Sequence, residues 1–120
     1  YGKFNNYGYR GLYNGETAKD IANRKGISEK EDILDYMSST DTAANLFRIT
    51  QTDEVLKNKN INNEDDACKT HHNVGQAVRQ TIKRIGGTMP EDLPTPSKSP
   101  KQIEKEKNKQ LKANDKKRLK

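Results

Sequence analysis

Between residues 17 and 87 the apolar positions recur every three or four residues, and nowhere do they alternate long enough to make a convincing strand. Thr17 and Asp20 stand at capping-box spacing, and Gly26 falls where a left-handed residue closes a helix, so TAKDIANRKG predicts a short helix. Ser28 and Glu31 repeat the cap. With Ile33, Leu34 and Met37 behind them, they predict a second helix over SEKEDILDYM, acidic in its first turns as the helix dipole favours. Thr40 caps a longer helix over residues 41–58, with Ala43, Leu46, Phe47 and Thr50 as its apolar face; KNINN breaks it. The strongest pattern lies in EDDACKTHHNVGQAVRQTIKRIGG. Here Ala67, His71, Val74, Val78, Thr81 and Ile85 step by four and three in turn, a seam that faces other helices, and Ile82 widens it. Gly75 sits inside this helix at a cost of about 1 kcal/mol against Ala, which predicts the close approach of another backbone. Gly86 ends it.

The flanks read differently. YGKFNNYGYRGLYNG holds four of the five tyrosines, and its glycines argue against a long helix. It predicts a loop over residues 1–15, laid on the body by its rings and read as the end of an upstream domain. Pro90, Pro94 and Pro96 predict an extended strap over residues 88–98, anchored by Met89 and Leu93. Ser99-Pro100 opens a polar helix over residues 99–120, whose Ile103, Leu111 and Leu119 are eight apart and build no stripe. The expected fold is all-α: a small bundle of about four helices over residues 16–87, the Pro-rich strap and a C-terminal basic helix.

Charge sharpens this division. Residues 97–120 carry ten basic residues against three acidic ones, so the whole-chain excess of +6 belongs to the tail and the body is close to neutral. Only 29% of residues are hydrophobic, so burial against a partner or a second copy is expected to assist folding. The single cysteine, Cys68, allows no internal disulfide and suits a reducing cytoplasm. No apolar run approaches the length of a membrane helix.

Four motifs carry candidate chemistry. IANRKGIS resembles the start of a DNA-binding helix-turn-helix, but the following segment puts Asp32 and Asp35 where apolar residues are needed, and its acids would repel phosphate. In CKTHH, Cys68 and His72 are one turn apart, which is two ligands where zinc wants three or four; His71 reads as a hydrogen-bonded core histidine and His72 as solvent-facing. NNEDD lacks the glycine and closing glutamate of a calcium loop, and suits a helix N-terminus. Lys101, Lys105, Lys109, Lys112, Lys116 and Lys120 line one face of the tail helix. With Arg79, Lys83 and Arg84 they are the candidate nucleic-acid contacts; the alternative for the lysines is a solvated charged helix, and for Arg79, Lys83 and Arg84 it is that they complement the C-terminal helix dipole. There is no phosphate-cradling glycine loop, paired-carboxylate pattern or serine elbow, so neither an enzyme nor a metal or cofactor is expected.

GYRGLYNG at 8–15, STDTAANLFRITQTDE at 39–54 and THHNVGQAVRQTIKRIGGTMPEDLPTP at 70–96 resemble the bacterial DNA-damage-inducible protein D family, and RKGISEKEDILDYM fits between the first two. The motif T-H-x-x-V-G-x-x-V-R-x-T-I stands here as Thr70, His71, Val74, Gly75, Val78, Arg79, Thr81 and Ile82. The resemblance implies a non-enzymatic protein of the SOS response that modulates RecA filaments on single-stranded DNA. It also implies an upstream domain similar to BRO-type phage antirepressors. The reading carried forward is a C-terminal protein-interaction domain in a bacterial cytoplasm, near the nucleoid, with a basic tail that assists DNA binding. The alternative is a dimerisation module for an antirepressor-type regulator. His71, Val74, Gly75, Val78, Ile82, Ile85, Met89 and Leu93 are the expected packing residues.

Overall fold

The computed structural model describes residues 2–28 and 30–96. Four α-helices follow one another: α1 Gly2–Leu12, α2 Ala18–Lys25, α3 Ser39–Asn58 and α4 Glu64–Arg84. A 3-10 turn at Ile33–Tyr36 separates α2 from α3, and a second at Pro90–Asp92 follows α4. The described residues form no strand, and the fold is all-α.

The N-terminal segment corrects the sequence reading: residues 2–12 are a helix and part of the bundle, and only residues 13–15 turn. Gly8 and Gly11 carry no side chain toward α4, and Gly75 carries none toward α1. A Cβ on Gly75 would stand 2.7 Å from the Gly8 carbonyl oxygen and 2.9 Å from the Leu12 nitrogen. The glycines expected to break a helix instead allow two helix backbones to touch, and the contact between α1 and α4 is the most extensive between helices of the described residues. Tyr9 and Leu12 of this helix and Tyr13 just past its end drop into the core, which Ile21, Ile27, Ile33, Met37 and Val78 complete.

Helix α2 forms as its caps dictate. Thr17 Oγ1 accepts from the Asp20 amide at 3.3 Å, Asp20 Oδ2 accepts from the Thr17 amide at 3.0 Å, and Gly26 closes the helix at φ 70°. The Gly26 and Ile27 amides return to the carbonyls of Asn23 and Ala22, which is a Schellman closure. The next helix expected, over residues 28–37, shortens to the single 3-10 turn. Asp32, rather than Ser28, is its cap, accepting from the Leu34 amide at 3.0 Å. Short acidic side chains compete for backbone amides in this way and end helices early. Ser38, rather than Thr40, caps α3, and α3 ends before Asn60 at φ 52°.

The segment expected as an extended strap contains one helical turn. Pro90 is buried, Met89 and Leu93 are half-buried, and the turn is fastened to the body by Arg79. Arg79 Nη1 and Nη2 donate to the two Glu91 carboxylate oxygens at 2.6 and 2.7 Å, and Nη1 also reaches the Leu12 carbonyl at 3.3 Å. One guanidinium thus joins the C-terminal end of α1, helix α4 and the proline turn. Further along, Lys25 Nζ donates to Thr95 Oγ1 at 3.3 Å. The expected basic helix, with Lys101, Lys105, Lys109, Lys112 and Lys116, lies outside the described residues.

Candidate functional site

Helix α3 turns the opposite way from the pattern of its apolar residues. Asp41, Asn45, Arg48 and Thr52 are the buried ones, spaced four, three and four apart. Leu46 and Phe47, expected in the core, are 59% and 53% exposed, and Ala43 and Thr50 are also on the outside. This is the principal correction to the sequence reading. A buried polar face is tolerable only when its hydrogen bonds are made, and here they run through the bundle as one chain.

The chain begins at Lys25, whose Nζ donates to Asp41 Oδ2 at 3.3 Å with both side chains buried. Tyr13 donates its hydroxyl proton to Asp41 Oδ1 at 2.6 Å, and Asn45 Nδ2 donates to the Tyr13 oxygen at 2.8 Å. Arg48 Nη2 donates to Asn45 Oδ1 at 2.9 Å, and its Nη1 meets His71 Nε2. The other ring nitrogen of His71, Nδ1, lies 2.8 Å from the Phe4 carbonyl oxygen. That contact fixes the tautomer: Nδ1 carries the proton and donates it, and Nε2 accepts from Arg48. Helices α1, α2, α3 and α4 are all stitched by this network.

Its electrostatics follow from burial. Burial, reinforced by the Arg48 charge, lowers the His71 pKa to about 4, so the ring is neutral at pH 7. Burial also raises the Tyr13 hydroxyl, and its bond to Asp41 raises it further, so Tyr13 remains a donor. Among the described residues no carboxylate touches Arg48, and its Nε has no hydrogen-bond partner. The Tyr9 ring, 4.8 Å from the guanidinium carbon, supplies a cation–π contact in its place.

With its polar side spent inward, α3 offers an apolar side to solvent. Ala43, Ala44 and Phe47 of α3 face Val78 and Ile82 of α4 across a groove of about 290 Å³. Pro90 and Leu93 close one end of it, in the segment that Arg79 and Glu91 hold in place. Burial alone would raise the Glu91 carboxyl, but the hydrogen bonds from Arg79 overcome it and hold Glu91 below the usual glutamate range. Ile85, expected in the seam, stands past the end of α4 at the groove lip, 76% exposed. An apolar groove lined by exposed Phe47 and Ile85 has the character of a protein-docking surface rather than of a catalytic cleft.

A family model described as the DinD C-terminal domain matches residues 1–103 of this chain. The chain belongs to the DinD C-terminal domain family. It is 55% identical over 101 residues to the DNA damage-inducible protein D of Escherichia coli (strain K12), covering 84% of this chain and 37% of that protein. The chain therefore spans little more than a third of that relative's length. No solved structure matches significantly.

In this DinD domain the residues singled out by sequence divide into three groups. His71, Gly75 and Val78 are buried at the contact of α4 with the rest of the bundle, with Val74 and Ile82 half-buried beside them. Arg79, expected to face phosphate, turns instead to Glu91 and Leu12, whereas Lys83 and Arg84 are exposed on the last turn of α4. His72, expected in solvent, is half-buried against Tyr7, and Cys68 is buried. The polar network escaped the sequence reading, although Asp41, Asn45, Arg48 and Thr52 keep helical spacing. A polar stripe at that spacing signals burial only when a matching donor or acceptor, here Tyr13 or His71, is known to face it. No helix of the described residues is long and apolar enough to cross a membrane.

Proposed function

We propose that this chain is the protein-interaction domain of a DNA-damage-response protein, and that the α3–α4 groove receives an apolar segment of a RecA recombinase filament on single-stranded DNA. One observation carries the reading: α3 buries Asp41, Asn45, Arg48 and Thr52 and leaves Phe47 exposed in the lining of an apolar groove. Such an arrangement gains nothing for the isolated domain and suits burial by a partner. The family, and its relative's printed name, set the damage-response context. In this reading the domain is not an enzyme and works in the cytoplasm, close to the nucleoid. Lys83, Arg84 and the lysines of the tail, Lys101, Lys105, Lys109, Lys112 and Lys116, add affinity for the DNA beneath the filament.

The test is a pull-down of the chain with RecA filaments assembled on single-stranded DNA, at two salt concentrations. Wild-type chain is expected to be retained at both, with weaker retention at the higher salt. Phe47→Ser is expected to abolish retention while leaving the far-ultraviolet circular dichroism unchanged. Retention of Phe47→Ser at the wild-type level would remove the groove from the reading. A chain that ignores filaments but sediments as a dimer, reverting to monomer with Phe47→Ser, would replace it with the dimerisation module of a regulator.

A further inference from the structure

Between α1 and α4 lies a second, open pocket of about 240 Å³ that shares no residue with the apolar groove. Tyr7 and Arg10 of α1 and Lys69, His72 and Asn73 of α4 line it, with no acidic or aliphatic residue among them. Asp65 and Asp66, which precede Lys69 on α4, have other contacts, and the Arg10 charge also reaches Asp20 of α2, whose carboxyl the Thr17 hydrogen bonds lower and that charge helps to lower. Asp65 lies 3.8 Å from Lys3 Nζ, and Asp66 Oδ2 accepts from Asn63 Nδ2 at 2.8 Å. The ion pairs of the described residues use Lys3, Arg24, Lys25 and Arg79, and neither Arg10 nor Lys69. The rings of Tyr7 and His72 meet edge to face, 6.4 Å between centroids at 83°, and form two walls at right angles.

A flat ring, an amide and two cations that form no ion pair among the described residues, within one small pocket, are the elements with which proteins hold single-stranded nucleic acid. The cations take the phosphate, the ring takes the base face, and the amide reaches a base edge. We propose that this pocket seats one nucleotide of single-stranded DNA, with its phosphate between Arg10 and Lys69 and its base against Tyr7. The site rests on the reading above that the domain works beside single-stranded DNA, and it adds a contact to those assigned to Lys83, Arg84 and the tail.

The experiment is a fluorescence-anisotropy titration of labelled oligothymidylate with the full chain over a range of salt. Four proteins are compared: wild type, Arg10→Gln/Lys69→Gln, Tyr7→Leu and Lys105→Gln/Lys109→Gln/Lys112→Gln. Loss of two phosphate contacts is expected to flatten the log–log salt slope of Arg10→Gln/Lys69→Gln by about 1.4. Tyr7→Leu is expected to bind about tenfold more weakly at an unchanged slope, because stacking carries no charge. Wild-type affinity and slope in Arg10→Gln/Lys69→Gln, with binding lost in the tail variant, would overturn the pocket and leave the tail reading standing. If the wild-type chain does not bind oligothymidylate, the pocket and the tail contact both fall, while the filament pull-down still decides the groove. Arg10 and Lys69 are exposed, so their replacement leaves the fold intact; if Tyr7→Leu lowers the melting temperature, the slope of Arg10→Gln/Lys69→Gln decides alone.

Discussion

Phe47 and Arg48 are neighbours on α3, yet Phe47 is 53% exposed and Arg48 only 2%. The aromatic ring stands in solvent, and the cation lies at the centre of the bundle between Asn45 and His71. Most helices make the opposite choice. The two positions should therefore respond to substitution in the opposite order from the one their chemistry suggests. Phe47→Ser is expected to change stability by less than about 0.5 kcal/mol, as for a surface site. Arg48→Ala is expected to cost about 3 kcal/mol or more, because it leaves a cavity and strands the acceptors of Asn45 and His71. Urea unfolding midpoints at constant m-value would measure both, and a larger loss at Phe47 would contradict the orientation of α3.

Gly75→Ala separates propensity from packing. In an isolated helix the change gains about 1 kcal/mol. Here the new methyl group would meet the Gly8 carbonyl and the Leu12 amide, both backbone atoms that cannot swing aside. Destabilisation by about 2 kcal/mol or more is expected, with α1 displaced from α4. Denaturant unfolding, with near-ultraviolet circular dichroism reporting Tyr9 and Tyr13, would show it. A stabilised variant would show that the two backbones are not in contact.

His71 gives the domain an acid-sensitive joint. Folded, it takes up a proton only near pH 4, because burial and Arg48 oppose a second positive charge. Unfolded, it does so near its ordinary value of about 6.5. Between these values the unfolded chain binds more protons, so stability is complete above about pH 6.5 and falls as pH drops toward 4. The loss from this one group is at most about 3 kcal/mol. Melting temperatures from pH 7.5 to 4, compared between wild type and His71→Gln, should show a steeper decline in wild type.

The proline turn should depend on Glu91. Glu91→Gln removes the charge from the bidentate contact with Arg79, and the segment that closes the groove loses its main fastening. Faster hydrogen exchange over residues 88–95 is expected, with little change in α4. A double-mutant cycle of Arg79→Met and Glu91→Gln is expected to give a coupling of about 1 kcal/mol. A coupling near zero would mean that Pro90 and Leu93 hold the turn by packing alone.

Several elements were legible from local chemistry. The Thr17–Asp20 box and Gly26 delimit α2 because caps act within one turn of chain. The uninterrupted register from Ala67 to Val78 marks α4, and Gly75 announces a close backbone, since its cost in a helix interior needs a contact to offset it. What chain proximity could not supply was the identity of the facing surface. Gly8 and Gly11 look like helix breakers until Gly75 is set against them, some sixty residues away in sequence. Asp41, Asn45 and Arg48 look like a solvent face until Tyr13 and His71 arrive to satisfy them.

The sequence by itself determined an all-α chain with a near-neutral body, a basic tail and helix ends placed by their caps, because these depend on contacts within a few residues. Only the tertiary structure decided which side of α3 points inward, that the first helix belongs to the bundle, and that Arg79 holds the proline turn. Each of these rests on hydrogen bonds or steric clearance between residues far apart in the chain. A hydrophobic pattern cannot express such relationships, because a polar stripe is equally consistent with water and with a buried partner.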